Sequence, residues 1–386
     1  MAEIFVEVST IDKIFPHPNA DSLYLAEIKG WQTVIVKNPD GSPQFNEGEA
    51  VVFVPPNVIV PPELAEELKI TNYLKSRVDI NGDKVLVLHA VRLRGEASFG
   101  LVLPVKDKSW KVGQEVSTEY GLYKYNPPVR PFSLTKQRTD AAPELPEFPR
   151  YSSSDNLRHY KLLFEEFIAA NKMDIVATEK IHGTNSGVGI VNGVLVARSN
   201  GYRRKDPTGL TPEEIENSKQ RDQNETNSAY SANIWWYPHS LPQMQTFLQE
   251  MGKLHRSVIV YGEIFGPGVN DFKYGRTSID YRVFDIMIDG KYLDFKDALS
   301  LCVTYNLPYV PILYIGEYNF ERIKELSQGK TTLADENSKT TNIREGVVIR
   351  PVKESYLPNI GRLTLKFVSD DYLTDKKIQD NDSTDM

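Results

Sequence analysis

The sequence predicts an α+β protein of two domains: a small antiparallel β-barrel, then a larger domain of antiparallel sheets with flanking helices. Three observations carry this. Residues 1 to about 105 are dense in short β-type runs broken by Pro, Gly and Asn. Beyond residue 150, amphipathic helices alternate with apolar strands and with the hairpin pairs Asn192-Gly193 and Asp289-Gly290. At 386 residues, 40% hydrophobic and 25% charged, the chain is long enough for two cores.

Bulk composition excludes several classes. There is no apolar run of membrane-spanning length, and MAEIFVEVST is unlike a signal peptide, so a soluble cytoplasmic protein is expected. The single cysteine, Cys302 in LSLCVTY, rules out a disulfide framework within the chain and reads as a buried thiol. Six scattered histidines have no zinc-ligand spacing. A net charge of -7 argues against wholesale coating of a polyanion, so nucleic-acid contacts must come from local basic clusters.

The N-terminal runs are EIFVEVSTI, SLYLAEI, TVIVKN, AVVFVPPNVIV, KVLVLHAVRLR and FGLVLPV, with one helix-like piece, PPELAEELKI. This layout fits an OB fold, a common binder of single-stranded nucleic acid or oligosaccharide. FPHPNADSLYLAEI with the later LRGEASFGLVLP resembles the tRNA-binding OB modules appended to some synthetases. On that reading Lys13, His17, Arg92 and Arg94 are candidate contacts; the competing reading makes HPNAD a loop and turn only. Residues 106 to 150, rich in Pro and basic side chains, read as an extended linker or as a strap over the next domain. A helix then opens the second domain, capped by Ser154 or Asp155, with Leu157, Tyr160, Phe164, Phe167 and Ile168 on one face. Arg158 and Lys161, on its other side, are solvated or turned toward a ligand.

At the centre of the second domain is VATEKIHGTNSGVGI, residues 176 to 190. The run Ile175 to Thr178 leads to Lys180, and Gly183 follows three residues later, at a tight connection to the next strand. A lysine at a strand end, beside a glycine that lets backbone approach closely, can present its amine to a phosphate. VLVARSNGYRRKD places Arg198 near the end of the returning strand, and the cluster Arg203, Arg204 and Lys205 is either a solvated or a phosphate-contacting loop. After a polar insertion ending in IWWYP, whose tryptophans suit packing, a helix spans Pro242 to Leu254. Four strand-like stretches follow: SVIVYGEIFG with Glu263, DYRVFDIMIDGKYLDF with Phe284, REGVVIRP led by Glu345, and RLTLKFVS with Lys366. Carboxylates and a lysine at the ends of apolar strands suggest a polar site built on a sheet.

This ordered set resembles the nucleotidyltransferase motifs of ATP-dependent ligases and mRNA capping enzymes: KIHG, ARSN, YGEIFG, VFDI, EGVVIR and LKFVS, over roughly residues 150 to 370. The EKIHGTN form is similar to that of RNA ligases of the RNA ligase 2 type. About twenty residues follow the last motif, so no C-terminal OB domain of the DNA ligase or capping enzyme kind is expected. With an OB-like domain placed first, the chain looks most like the RNA ligase 5 family. The resulting division is 1–105 OB domain, 106–150 linker, 151–370 nucleotidyltransferase domain and 371–386 acidic tail.

The resemblance implies ATP-dependent joining of RNA 3′-hydroxyl and 5′-phosphate ends, in nicked or broken RNA or in an RNA–DNA hybrid duplex, through AMP carried on Lys180. Protein partners are not specified. An unperturbed lysine is almost wholly protonated at neutral pH, and a carboxylate alone would hold it so; a divalent cation, Mg²⁺ or Mn²⁺, works in the other direction. Glu345 is the candidate for holding that metal, and Lys366 for the α-phosphate. By the resemblance Glu263 lies near ribose or metal, Phe284 stacks on adenine, Arg198 meets the substrate 5′-phosphate, and Gly183 permits close approach. Arg158 is a weaker candidate for the triphosphate tail. Two departures stand out: Thr364 replaces the first lysine of a K-x-K pair, with Arg362 as a nearby substitute charge, and His182, an accepted form among RNA ligases, stands where many ligases have aspartate and either assists pyrophosphate departure or packs. The alternatives are a DNA ligase and a catalytically silent RNA-binding protein.

Overall fold

The strand Ala50–Val54 is buried from Val51 to Val54, as a run of consecutive apolar residues requires when both faces are covered. It is the middle strand of an antiparallel sheet with Glu7–Thr10 and Leu101–Pro104. The computed structural model describes residues 6–126, 128, 141–152, 154–209, 234–270, 272–334, 342–358 and 360–375. Contacts divide the chain into two units, Met1–Ser133 with Arg158–Lys161 and Leu373–Met386, and Leu134–Leu157 with Leu162–Tyr372.

In the N-terminal unit a meander of Lys13–Pro16, Leu23–Ile28 and Trp31–Val36 turns at Lys29 and Gly30, both at positive φ. A further sheet orders Tyr123–Lys124, Val58–Ile59, Lys84–Val87 and Lys75–Val78, and Val91–Leu93 pairs with Glu96–Ser98. Val6, Val8, Val52, Val54, Val58, Val60 and Leu103 form the core. Two expected strands are each divided. Pro55, Pro56 and Asn57, the last at φ 66°, split AVVFVPPNVIV, and KVLVLHAVRLR supplies strands to two different sheets. The helix is Pro62–Glu67, with proline in its first turn.

His17 is corrected from ligand contact to buckle. It is buried, its Nε2 lies 3.1 Å from Leu93 O, and its Nδ1 accepts from Asn19 N at 3.1 Å. Asn19 Nδ2 donates to Arg94 O at 3.0 Å, so the HPNAD loop pins the turn at Arg94 and Gly95. Lys13, Arg92 and Arg94 are exposed, although Arg92 Nη1 also donates to Gly95 O at 2.9 Å.

The second unit is built on two sheets. The first orders Asp155–Asn156, Leu365–Val368, Gly346–Pro351, Ile175–Lys180 and Ile312–Gly316, with a parallel pairing at Asp155–Asn156 and antiparallel pairings elsewhere. The second, antiparallel throughout, orders Arg203–Arg204, Val194–Ser199, Thr184–Val191, Ser257–Phe265, Asp280–Ile288 and Lys291–Tyr292. Asn192-Gly193 and Asp289-Gly290 have the paired positive φ that a two-residue hairpin needs.

One face of the six-stranded sheet carries the helix Pro242–Met251, which buries Met244, Phe247, Leu248 and Met251 there beside Trp235. Arg204 is buried, not solvated, with its guanidinium 3.5 Å from the Trp235 ring centre. On the opposite face Phe148 packs with Val196, Ile259, Tyr261 and Met287. It is delivered by residues 141–152, a strap fixed by Ala142 N donating to Arg203 O at 3.0 Å and Tyr261 Oη donating to Pro149 O at 2.8 Å. Residues 129–140 of the expected linker, most of the polar insertion and residues 376–386 of the expected acidic tail lie outside the described residues; Asp370–Thr374 is helical. No helix among the described residues is long and apolar enough to cross a membrane.

Candidate active site

Lys180 ends the strand Ile175–Lys180, and its ladder partner on the neighbouring strand is Gly346. Glu345 is one residue beyond that partner, just before Gly346–Pro351, where the chain has left the strand and its side chain turns to the amine. Lys180 Nζ donates to Glu345 Oε1; Glu345 is 1% exposed and the lysine side chain 20%. The continuity Thr178↔Val348↔Lys366 across three strands puts Lys366 on the same face as Lys180, because residues i and i+2 of a strand share a face. The five-stranded sheet thus gathers two cations and a carboxylate at one end.

The connection Ile181-His182-Gly183 carries the chain from this sheet to the other. A side chain at 183 would begin 2.2 Å from Ile264 O and 2.9 Å from Glu263 Cγ, so only glycine fits. That contact also brings Glu263 to the site: it pairs with Asn185 across the ladder and lies against Gly183. Residues 266 to 280 then clamp the connection. Asn270 Nδ2 donates to Gly183 O, and His182 N donates to Tyr274 Oη at 2.7 Å. Tyr274 is buried, and burial followed by the negative charge of Glu345 pushes its phenol well above the ordinary range. It is a neutral hydrogen-bonding post.

Two further sets of charged groups are buried in this unit. Glu179, next to Lys180 in sequence, accepts from Thr331 Oγ1, from Thr332 N at 2.9 Å and from Thr332 Oγ1 at 2.6 Å, and lies 3.5 Å from Arg344 Nε. Arg344 immediately precedes Glu345, so the residues just before the amine and the carboxylate are themselves paired. Asp285 accepts from Arg350 Nη1 at 2.7 Å, Arg362 Nη1 at 2.6 Å and Tyr151 Oη at 2.7 Å. Burial works to raise the Asp285 carboxyl, but Arg350 and Arg362 outweigh it and hold it below the usual range.

Phe284 sits at a bulge beside Asp285, half-buried, with the Tyr151 ring 4.8 Å away. Three further arginines named from the sequence are buried. Arg198 is buried: Nη1 donates to Phe148 O and lies 3.3 Å from Glu144 Oε2, so the strap contacts it. Arg158 is 1% exposed, with its guanidinium 4.6 Å over Trp31. Arg362 is committed to Glu354 through Nε and Nη2 and to Asp285, leaving no charge to replace a lysine at buried Thr364.

Among the described residues no three His, Cys, Asp or Glu side chains converge as a metal cage. The donor set fits a hydrated divalent cation that takes Glu345 and completes its shell with water and phosphate oxygens. Residues 173–368, slightly more than half of the sequence, match the RNA ligase family. The chain belongs to that family. An OB-fold domain family matches residues 5–105 of this RNA ligase. No curated protein matches its sequence. The fold is similar to that of Naegleria gruberi RNA ligase with PPi, at 20% identity and a TM-score of 0.64, over 98% of this chain and 100% of that one. A variant of the same ligase with ATP and Mn matches at 21% identity with the same score and coverage. Another, with AMP and Mn, matches at 20% identity and a TM-score of 0.62, over 96% of this chain and 98% of that one.

Sequence reading missed Asn270, Tyr274 and Glu179 as parts of the site, and the buried Asp285 cluster. Glu179 carried a local signal: a carboxylate in an otherwise apolar strand, directly before the lysine. Asn270 and Tyr274 lie in GPGVNDFKYG, where nothing local tells a clamp from a loop.

Proposed function

We propose that this RNA ligase joins the 3′-hydroxyl and 5′-phosphate ends of nicked or broken RNA, RNA–DNA hybrid duplexes included, with ATP as adenylyl donor and Lys180 as the nucleophile. The observation that carries the reading is the Lys180–Glu345 contact, with Lys366 on the same sheet face as Lys180. The reading also draws support from the Naegleria ligase structures holding ATP and Mn, AMP and Mn, and PPi.

Lys180 Nζ attacks the α-phosphorus; a P–N bond forms, the bond to the β-phosphate oxygen breaks, and pyrophosphate leaves. The amine must first give up its proton, and its bond to Glu345 favours the ammonium form. A divalent cation held by Glu345, directly or through water, would offset that carboxylate's charge and the charge of the phosphates. Lys366 faces the α-phosphate and stabilises charge developing on its oxygens. Glu263, beside Gly183, receives the ribose, and Phe284 stacks on adenine, steadied by Tyr151. The RNA 5′-phosphate oxygen then displaces Lys180 from the AMP phosphorus. Finally the 3′-hydroxyl oxygen attacks the RNA 5′-phosphorus, AMP departs, and a phosphodiester is left.

The test is incubation with α-labelled ATP and Mg²⁺ or Mn²⁺, followed by denaturing electrophoresis, for wild type and Lys180→Ala. Label on wild type alone supports the route; label on neither, in folded protein shown to carry no AMP beforehand, overturns it. All-RNA, hybrid and all-DNA nicks then sort the polynucleotide.

A further inference from the structure

His182 is enclosed by aromatic side chains. The Phe272 ring centre lies 4.8 Å from that of the imidazole and the Tyr372 ring centre 5.7 Å, while Tyr274 holds the His182 backbone N–H. Tyr372 does more than pack: its hydroxyl is 3.0 Å from His182 Nδ1. The same Nδ1 lies 4.0 Å from Glu345 Oε2, on the carboxylate whose other oxygen takes Lys180. The imidazole therefore has two oxygens within range of one nitrogen, and the shorter contact is to Tyr372.

Tyr372 reaches this position from the short helix Asp370–Thr374, just after the last strand of the five-stranded sheet. Its backbone N donates to Ser369 Oγ at 3.2 Å, and Ser369 is tied back by N donating to Glu345 O at 2.8 Å and Oγ donating to Arg344 O at 3.0 Å. The tyrosine is thus anchored to the backbone that carries Glu345, and it is 2% exposed. Such anchoring fixes the hydroxyl with respect to both Glu345 and His182.

We propose that Tyr372 is a positioning residue that acts through His182, keeping the imidazole off Glu345. When the phenol donates into Nδ1, that nitrogen has no proton to give the carboxylate, and the ring is held at its present distance from Oε2. The imidazole then does not compete with Lys180 for Glu345. Without the hydroxyl, Nδ1 is released to take Oε2 with a shift of about one ångström, the kind of displacement that costs up to about 100-fold in rate when it falls on the reacting groups. The inference rests on the lysyl-AMP reading above.

The experiment is a double-mutant cycle on single-turnover self-adenylylation, with wild type, Tyr372→Phe, His182→Ala and the double variant, each at several ATP concentrations. Tyr372→Phe keeps the ring and is expected to lower the limiting rate about tenfold or more with little change in the ATP concentration for half-maximal rate. In the His182→Ala background the same change is expected to have no further effect, since the residue through which Tyr372 acts is gone. Additive losses in the double variant would overturn the proposal and make Tyr372 a packing residue, as would an unchanged rate in Tyr372→Phe. Absence of lysyl-AMP in wild type is a separate outcome, because it strikes the functional reading before the cycle begins.

Discussion

Lys180 and Glu345 meet across the ends of two neighbouring antiparallel strands, and the carboxylate is the more deeply buried partner, 1% exposed against 20%. A buried carboxylate at that place is bound to have a strong effect on the amine and on any cation bound beside it. Lys180→Ala is expected to lose both the covalent AMP and sealing. Glu345→Ala leaves the nucleophile in place yet is expected to slow adenylylation by about 100- to 1000-fold, the usual cost of removing one preorganised electrostatic group. Rapid-quench measurement of the labelled protein separates the two; a Glu345→Ala rate within threefold of wild type would remove the carboxylate from the mechanism.

Gly183→Ala tests the connection between the sheets. Its new methyl would start 2.2 Å from Ile264 O, and the obstacle is backbone, which cannot swing aside as a flexible side chain does. The expected result is a loss of about 1–3 kcal/mol in stability, read by denaturant unfolding, together with slower adenylylation as Lys180 and Glu263 are pushed apart. Wild-type stability and rate in this variant would mean that the strands separate freely there.

Much of this site was legible in the sequence because its parts are local. Lys180, Glu345 and Lys366 each interrupt or end an apolar run, and a hairpin pair, Asn192-Gly193, fixes the strand that follows Gly183. Long-range contacts leave no such trace. Tyr372 and His182 are 190 positions apart, and Tyr372 lies in a stretch that reads as the start of a polar, acidic tail. The contacts of Arg198 are another case: an arginine in ARSN gives no sign that a strap bearing Phe148 and Glu144 will cover it. In the N-terminal unit the alternation located the strands, but Pro55 and Pro56 divided one of them, and the pattern did not say which sheet each half would join.

Phe284→Ala is expected to weaken ATP use without abolishing chemistry. Stacking of a base on an aromatic ring contributes about 1–3 kcal/mol, so the KM for ATP should rise about tenfold or more while the rate at saturating ATP falls less. Tyr151, 4.8 Å from Phe284, remains tied to Asp285 and keeps the wall of the site in place. A variant with unchanged KM would place the base elsewhere.

Asp285→Asn addresses the charge that two buried arginines share. Arg350 and Arg362 both donate to this carboxylate, and removing its charge leaves Arg362 with Glu354 and Arg350 with the Tyr309 hydroxyl; the expected loss is about 3–5 kcal/mol at neutral pH. The sign with pH follows from the depressed carboxyl. Its unfolded value is about 3.9, so the stabilisation is fully present above that pH and is lost as pH falls through the lower folded value. Thermal unfolding of wild type and Asp285→Asn from about pH 7 to about pH 2 should show a wide gap in Tm that closes only below about pH 4. Since Arg350 lies on the strand that Glu345 leads and Asp285 adjoins Phe284, the variant should also raise the KM for ATP. A gap that stays constant down to the lowest pH would mean that the amide fails through shape or hydrogen bonding, and that the two arginines are not held by the Asp285 charge.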